Sequence, residues 1–147
     1  MKSGSHRTEF ESSSPQETIR IASKLARDIQ PGTVLELQGG LGAGKTTFVK
    51  GIAVGLGLKE HDAVKSPTFV LMHIYPAPIP VYHFDLYRLD TNTDLDSIGL
   101  DEYLDDQNAV ICVEWAEKAR GRFPDSSIKV SFEVTGEKTR RISVQGT

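Results

Sequence analysis

A glycine-rich octapeptide in the first third of the chain has the residue types and spacing of a phosphate-binding loop. It runs from Gly39 to Thr46, reads Gly-Gly-Leu-Gly-Ala-Gly-Lys-Thr, and fills every fixed position of the P-loop pattern G-x-x-x-x-G-K-[ST]. Its glycines let the backbone curl so that successive N–H groups point at phosphate oxygens. The lysine supplies a mobile charge for the β- and γ-phosphates, and the hydroxyl of the next residue suits Mg²⁺. This octapeptide therefore predicts binding of a nucleoside triphosphate.

The segments on either side of this P-loop are the ones that it requires. Residues 33–38 are a short run of good strand formers, and residues 46–53 carry apolar side chains at helical spacing. A helix that begins at the loop directs its unpaired N–H groups and the positive end of its dipole at the same anion. The predicted nucleotide contacts in this stretch are Gly40, Leu41, Gly42, Ala43, Gly44, Lys45, Thr46 and Thr47.

Two acids stand at the ends of predicted strands, where hydrolysis of a nucleotide needs further groups. Asp85 ends a strand predicted for residues 81–85 and fits a Walker-B role, holding Mg²⁺ directly or through water. Glu114 ends the apolar run 109–114 and could be a second Mg²⁺ ligand or orient the attacking water. For each acid, the alternative is a carboxylate that merely ends a strand in solvent.

Three further features are less specific. Thr68 follows the P-loop helix, where switch segments often place a hydroxyl near Mg²⁺ and the γ-phosphate, but it could equally just start a strand. Trp115 could line the nucleotide pocket, offer an anchor to a partner, or belong to the core. Three of the four histidines, His61, His73 and His83, show no metal-ligand spacing and are interpreted as structural.

The identity of the base is inferred from two short sequence patterns. No Asn-Lys-x-Asp sequence, which reads guanine, occurs in the chain. Residues 96–99 have the D-x-x-G form of a GTPase switch, but they fall in residues 95–104, predicted as two short helical turns interrupted at Gly99. The sequence therefore favours adenine, with ATP and ADP as the nucleotides.

Composition and charge narrow the class of protein. A chain of 147 residues is long enough for one domain, which we assign to residues 8–147, with 1–7 as a disordered start or a remnant left by cloning. The net charge of −3 gives no basic field for nucleic acid, so we expect any link to nucleic acid to pass through a partner. No apolar run suits a membrane span or a signal peptide, which predicts a cytoplasmic location. The single cysteine, Cys112, is interpreted as a small buried hydrophobe.

A helix is predicted near the start of the chain. Ser14 is the expected N-cap, Pro15 stands at the first helical position, and Glu17 closes a capping box. The apolar face continues to Ile29, and the Pro-Gly pair at 31–32 is expected to end the helix.

The strand pattern predicts the fold class. Residues 70–75 and 81–85 form a predicted antiparallel hairpin, and the continuously apolar run 109–114 reads as a central strand covered on both faces. Residues 128–134 and 139–145 form a second predicted hairpin. Together they predict an α/β, P-loop NTPase-like three-layer fold with a mixed sheet, parallel at its centre and extended at its edges by antiparallel hairpins.

Four blocks of sequence, taken together, carry a family resemblance. They are residues 39–47, Ser66-Pro67-Thr68-Phe69, His83-Phe84-Asp85-Leu86-Tyr87-Arg88 and Glu114-Trp115-Ala116-Glu117-Lys118. In type, order and spacing they resemble the signature blocks of the TsaE family, the small bacterial ATPases of tRNA threonylcarbamoyladenosine biosynthesis. The resemblance covers nearly the whole chain from about Thr8, with no departure from the core blocks.

The resemblance implies an activity and partners. It implies Mg²⁺-dependent ATP binding with weak intrinsic hydrolysis, activated in a complex with the TsaD and TsaB proteins. TsaD transfers the threonylcarbamoyl group to adenosine 37 (t6A) of tRNAs that read ANN codons, and the ATPase resets the complex between cycles. The protein would then meet tRNA only indirectly, through that complex, and no membrane is implied.

The resemblance also implies roles for single residues. Lys45 would contact phosphate, Thr46 and Glu114 would bind Mg²⁺, and Asp85 would assist at the metal. Thr68 would belong to a switch loop and Trp115 to the nucleotide-side surface. The adenine would lie near the N-terminal segment, which makes residues 8–13, including Thr8 and Ser12, the candidate contacts around it. Arg140, on the last hairpin, would contact the nucleotide side.

Two other functions fit the P-loop without the resemblance. A small-molecule phosphotransferase also pairs a P-loop with an acid at a strand end, but it needs an acceptor pocket and usually a lid with arginines. The segment after Glu114 is short and leaves little room for such a lid. A regulatory nucleotide switch would bind ATP without catalytic turnover of its own.

Overall fold

A seven-stranded mixed sheet is the centre of the computed structural model, which describes residues 7–40, 42–59, 72–89 and 92–146. In chain order its strands are β1 (Arg7–Ser12), β2 (Val34–Gln38), β3 (Met72–Tyr75), β4 (Val81–Asp85), β5 (Val110–Glu114), β6 (Ile128–Val134) and β7 (Arg140–Gln145). Across the sheet the order is β1-β7-β6-β2-β5-β4-β3. The pairs β6–β2, β2–β5 and β5–β4 are parallel, and the outer pairs are antiparallel. The predicted mixed sheet with a parallel centre is confirmed.

The helices lie on both faces of this sheet. They are α1 (Pro15–Ala26), α2 (Lys45–Gly55), α3 (Asn92–Ser97) and α4 (Leu100–Leu104), with a 3₁₀ helix at Ala116–Ala119. The core divides into two clusters: one joins α1 and α2 to the sheet, and the other joins α3, α4 and the 3₁₀ helix to it. This arrangement confirms the three-layer α/β fold. No helix in the described ranges is long and apolar enough to cross a membrane.

Strand β5 shows why the central run of the sequence is apolar throughout. Val110 and Cys112 belong to the cluster under α1 and α2, whereas Ile111 and Val113 belong to the opposite cluster. Every residue of the strand is buried because both of its faces are covered. Burial raises the pKa of the Cys112 thiol, which suits the hydrophobic role predicted for it.

Strand register brings the two predicted acids together. Asp85, the last residue of β4, pairs with Glu114, the last residue of β5, which in turn pairs with Leu37 on β2. Residues in direct register across parallel strands point to the same face of the sheet. Leu37 belongs to the cluster beneath α1 and α2, so both carboxylates are directed toward the face on which α2 lies.

Helix α1 begins as predicted but ends earlier. The Glu17 N–H donates to Ser14 Oγ at 3.0 Å, and the Glu17 carboxylate accepts from the Ser13 N–H at 2.7 Å. The second hydrogen bond of the capping box, from a main-chain N–H to the Glu17 carboxylate, is therefore made by Ser13 and not by the N-cap residue Ser14. The helix ends at Ala26, not at Ile29, because the chain tightens into i→i−3 bonds, such as that from the Ile29 N–H to the Ala26 carbonyl at 3.1 Å.

Small residues let α1 and α2 approach closely. A Cβ built on Gly51 would lie 2.5 Å from the Ala22 Cβ, and one on Gly55 would lie 2.7 Å from the Ala26 Cβ. The Ser23 hydroxyl donates to the Gly51 carbonyl at 3.0 Å across the same contact. This contact fixes the position of α2, the helix that begins at the P-loop.

The two predicted hairpins and the predicted interruption at Gly99 are confirmed where the structure describes the residues. Strands β3 and β4 pair antiparallel, as do β6 and β7. Gly99 separates α3 from α4 with a φ of 71°, and α3 begins at Asn92, before the predicted start at Leu95. Residues 1–6, in the predicted disordered start, and residues 70–71, at the start of the first hairpin, lie outside the described residues, and Arg7 already belongs to β1.

Candidate functional site

The P-loop joins the end of β2 to the start of α2 and keeps its backbone open. Gly42 and Gly44 have φ values of 74° and 101°, in the left-handed region that a residue with a Cβ rarely adopts. A Cβ built on either glycine, or on Gly40, would meet nothing within 4 Å. At these three glycines no side chain covers the main chain, as phosphate binding by backbone N–H groups requires.

Lys45, the lysine of the P-loop, is buried against its own loop. Its Nζ donates to the Gly39 carbonyl at 2.5 Å and lies 3.6 Å from the centre of the Trp115 ring. Burial lowers the pKa of Lys45, and the nearby carboxylates of Glu114, Glu117 and Asp85 oppose that effect. An anion close to Lys45 would stabilise its charged form further.

Glu114 is held by two neighbours through one carboxylate oxygen. The Thr46 hydroxyl donates to Glu114 Oε2 at 2.8 Å, and His83 Nε2 lies 2.5 Å from the same atom. Glu114 is only 4% exposed, so its orientation is set by these contacts and not by solvent. The first residue after the P-loop lysine is thus connected directly to the end of β5.

Asp85 is also buried, beside Glu114. Its Oδ1 accepts the Tyr87 N–H at 2.9 Å. Burial raises the pKa of Asp85; the Tyr87 N–H opposes the rise and the Glu114 carboxylate adds to it. Two buried neighbouring acids form a place where a cation is favourable.

The oxygen donors of this site suit Mg²⁺ in the presence of a nucleotide. Within the described ranges, no group of three or more His, Cys, Asp and Glu side chains could hold a metal ion by itself. Mg²⁺ is usually held by one or two carboxylates together with phosphate oxygens and waters, and not by a complete protein cage. Thr46, Asp85 and Glu114 match that smaller donor set.

A cavity of about 330 Å³ joins these parts. It is lined by Gly42, Ala43, Gly44, Lys45, Thr46, Thr47, Asp85, Tyr87, Glu114 and Trp115. Trp115 has a φ of 58° and is the one non-glycine residue with a positive φ in the described part of the chain. The centre of its ring lies 4.8 Å from that of the Tyr87 ring, and both side chains line the cavity. The structure thus brings Trp115 to the predicted site.

A second cavity, of about 580 Å³, adjoins the first. The two share Gly42, Gly44 and Thr47, and the second extends to the start of α1 and to the β6–β7 turn. Arg140 lines it and donates from Nη2 to the Gly42 carbonyl at 3.2 Å. The P-loop therefore borders two adjoining cavities, one beside the acids and one beside the N-terminal segment.

The residues predicted around the adenine differ in their placement. Ser12 lines the second cavity, but its hydroxyl already bonds the Ser14 carbonyl at 2.8 Å and Thr18 Oγ1 at 2.7 Å. Thr8 is exposed on β1 opposite Val144 and is not among the residues that line either cavity. The structure does not bring Thr8 to the site.

Some predicted residues lie outside the described part of the chain, and others were missed. Leu41 and Thr68 are outside the described residues, so their roles stay predictions. Sequence reasoning interpreted His83 as structural and did not foresee its contact with Glu114. The available signal was strand periodicity: His83 precedes Asp85 by two residues and shares its face of the sheet. Tyr87 gave no such signal, because it follows the strand.

A family model matches most of the chain. The family model "Threonylcarbamoyl adenosine biosynthesis protein TsaE" matches residues 12–142. The chain belongs to the TsaE family. That family takes part in tRNA threonylcarbamoyladenosine biosynthesis. The matched span includes every residue that lines the two cavities, whereas Thr8 lies before it.

Individual relatives of the TsaE family match most of the chain. The tRNA threonylcarbamoyladenosine biosynthesis protein TsaE of Treponema pallidum is 39% identical over 134 residues, covering 90% of this chain and 96% of the relative. That of Bacillus subtilis is 41% identical over 130 residues, covering 88% and 79%. The crystal structure of Bacillus subtilis YdiB superposes with a TM-score of 0.78 at 33% identity, covering 99% of this chain and 88% of that one. The predicted family resemblance and α/β fold are confirmed.

Proposed function

We propose that this chain is a Mg²⁺-dependent ATPase that serves formation of the threonylcarbamoyl group on adenosine 37 of tRNAs reading ANN codons. The observation that carries the proposal is the convergence of one hydroxyl and two buried carboxylates beside the P-loop. Thr46, Asp85 and Glu114 come from three different elements and line one cavity with the P-loop lysine. A loop that only connected a strand to a helix would not need buried acids at its side.

The residues at this site fit both ATP and Mg²⁺. The open N–H groups of the P-loop and the ammonium of Lys45 would hold the phosphates. Thr46, Asp85 and Glu114 would hold Mg²⁺, which when bound neutralises charge on the phosphates and helps to orient them. The Thr46 hydroxyl can serve there without losing its present bond, because its hydrogen goes to Glu114 and its oxygen lone pairs stay free to accept.

Each residue of the site then has a distinct role. Lys45 exchanges the Gly39 carbonyl and the Trp115 ring for phosphate oxygens. Glu114 has one oxygen engaged by Thr46 and His83, so the other oxygen is the one left for the metal or for the attacking water. Asp85 supports the metal from the neighbouring strand. Trp115 and Tyr87 limit the access of bulk water on one side.

We assign the nucleoside part of ATP to the second cavity. It adjoins the phosphate side at Gly42, Gly44 and Thr47, so one nucleotide can extend from the acids to the start of α1. Arg140 stands at this junction, where a cation would face the phosphates or the sugar. The preference for adenine rests on the absence of a guanine-reading sequence.

We assign the partners and the compartment from the family role. The chain carries a net charge of −3, which supports indirect contact with tRNA through the TsaD and TsaB proteins. Hydrolysis by the chain alone is then weak and rises in the complex, where the partners complete the site. A role in tRNA modification also favours a cytoplasmic location.

The test is ATP hydrolysis by the purified protein, alone and then with TsaD, TsaB and tRNA. We expect slow turnover that rises when all partners are present and that is lost in Glu114→Gln. Turnover that ignores the partners but rises with a small-molecule acceptor would overturn the proposal in favour of a phosphotransferase. A Glu114→Gln protein that still supports tRNA modification would overturn it in favour of a non-catalytic nucleotide switch.

A further inference from the structure

We propose that His83 is a positioning residue of the ATPase site, which fixes the Glu114 carboxylate so that its second oxygen is presented to the metal. The inference rests on the proposed function and deepens it. His83 is completely buried, and its Nε2 lies 2.5 Å from Glu114 Oε2. Since an ionised carboxylate only accepts hydrogen bonds, Nε2 carries the hydrogen when Glu114 is ionised.

The sheet places this imidazole where it can act on the acid. His83 pairs in register with Cys112, two residues before Glu114 on the adjoining strand. Because side chains alternate along a strand, His83, Asp85 and Glu114 all point to the face that carries α2. A histidine at this register can therefore reach Glu114 diagonally without displacing Asp85.

The ring of His83 is itself held from its other side. The Tyr75 hydroxyl lies 3.3 Å from Nδ1, and the two rings are 5.9 Å apart. Rotation of the imidazole would break the contacts of both nitrogens within a packed core. A continuous series of contacts thus joins Tyr75 on the edge hairpin, through His83 and Glu114, to Thr46 at the start of α2.

The choice of partner distinguishes this histidine from one that only fills the core. A buried imidazole must find hydrogen-bonding partners, but a main-chain carbonyl would satisfy it. His83 instead contacts the oxygen to which Thr46, the hydroxyl predicted to bind Mg²⁺, also donates. Two donors on Oε2 restrict rotation of the carboxylate and leave Oε1 for the metal. Side chains that orient a metal ligand in this way typically contribute about 10–100-fold to metal affinity or activity.

The test compares two substitutions of His83: the side-chain amide of Gln reproduces the Nε2 donor, and that of Asn does not. The side-chain amide of Gln reaches the position of Nε2, whereas that of Asn reaches only that of Nδ1. We would measure ADP binding by calorimetry across a range of MgCl₂ concentrations, and again with EDTA in place of the metal. For His83→Asn we expect the Mg²⁺ concentration at half-maximal effect to rise about 10–100-fold, with ADP affinity in EDTA unchanged. His83→Gln should stay close to wild type.

Two controls separate positioning from folding. His73→Asn removes an imidazole from the neighbouring strand, in register with His83, and should leave the Mg²⁺ requirement unchanged. In a Glu114→Gln background, His83→Asn should add little further loss, because residues that act through one another are not additive. Should His83→Asn fail to fold, His83→Leu, which fills a similar volume but offers no hydrogen-bond donor to Glu114, takes its place in both comparisons.

The outcomes distinguish this inference from the proposed function. Wild-type protein without Mg²⁺-dependent nucleotide binding would overturn the proposed function, and the inference with it. Wild-type protein that binds in a Mg²⁺-dependent way, beside a folded His83→Asn protein with an unchanged Mg²⁺ requirement, would overturn the inference alone. An equal loss of ADP affinity with and without Mg²⁺ would show that His83 only maintains the fold.

Discussion

The ammonium group of Lys45 lies 3.6 Å from the centre of the Trp115 ring. The positive charge that would bind a phosphate is therefore in contact with an aromatic ring of the protein itself. Trp115 reaches this position through a left-handed backbone with a φ of 58°, a conformation that costs a bulky residue about 1–3 kcal/mol. Such strain persists where the surroundings over-determine the conformation, and it is common at functional sites. Phosphate binding must therefore change the environment of Trp115.

We expect the fluorescence of Trp115 to report nucleotide binding. Trp115 is the single tryptophan of the sequence, so its emission is unambiguous. Addition of ADP and Mg²⁺ should shift the emission, because Lys45 leaves the ring for the phosphates. The measurement is a fluorescence titration, with calorimetry as an independent record of binding. Lys45→Ala should remove most of the nucleotide response, and Lys24→Ala, at the far end of α1, should retain it. Calorimetric binding with unchanged emission would contradict the prediction.

Asp85→Asn should stabilise the free protein while it weakens the effect of Mg²⁺. Burial raises the pKa of Asp85, so its ionised form is less favourable in the folded protein than in the unfolded chain. The resulting cost is absent below the ordinary carboxyl pKa of about 4, grows as pH rises toward the raised value, and is fully present above it. The Asn side chain removes the charge, and its oxygen can still accept the Tyr87 N–H.

The measurement for Asp85→Asn is urea unfolding in EDTA at pH 7, repeated with ADP and Mg²⁺. The variant should unfold at a higher urea concentration than wild type in EDTA, and the ligands should stabilise it less than they stabilise wild type. When the EDTA experiment is repeated below the ordinary carboxyl pKa, the variant and wild type should unfold at similar urea concentrations. A variant that is less stable than wild type in EDTA at pH 7 would show that the Asp85 carboxylate is favourable in the fold.

Gly51→Ala should destabilise the protein, whereas Gly40→Ala should not. A Cβ on Gly51 would lie 2.5 Å from the Ala22 Cβ and 2.6 Å from the Ile19 carbonyl oxygen, so α1 and α2 would have to separate. Overpacking of this kind typically costs about 1–3 kcal/mol. Gly40 is the matched control because a Cβ there meets nothing within 4 Å. The check is the free energy of unfolding from denaturant titration, and equal effects at the two positions would contradict the close helix contact.

Glu17→Gln should lower stability at neutral pH and lose that effect in acid. The Ser13 N–H, followed by the Ser13 hydroxyl, holds the pKa of Glu17 below its ordinary value. A lowered pKa stabilises the fold above the unfolded value of about 4.3, and this contribution is lost as pH falls through the folded value. The difference in thermal midpoint between Glu17→Gln and wild type should therefore be present at pH 7 and vanish well below pH 4.3. Asp28→Asn, an exposed acid after the same helix, serves as the control.

Local patterns were sufficient for much of the fold. The P-loop was predictable because its chemistry depends on adjacent residues, and β5 was predictable because a strand covered on both faces must be apolar throughout. The β6–β7 hairpin followed from alternating side chains. The end of α1 was predicted wrongly, because the apolar spacing that continues to Ile29 does not distinguish a last helical turn from the tighter i→i−3 turn that follows Ala26.

The sequence by itself determined that this protein has a P-loop, two acids at strand ends and a mixed α/β sheet, because each of these depends on residues close together in the chain. Only the tertiary structure decided which side chains meet. The pairing of β4 with β5 brings His83 to Glu114, and the turn after β5 brings Trp115 to Lys45. It also decided that Ser12, and not Thr8, lines the second cavity. These contacts join distant residues through strand register, and no spacing within a single segment specifies that register.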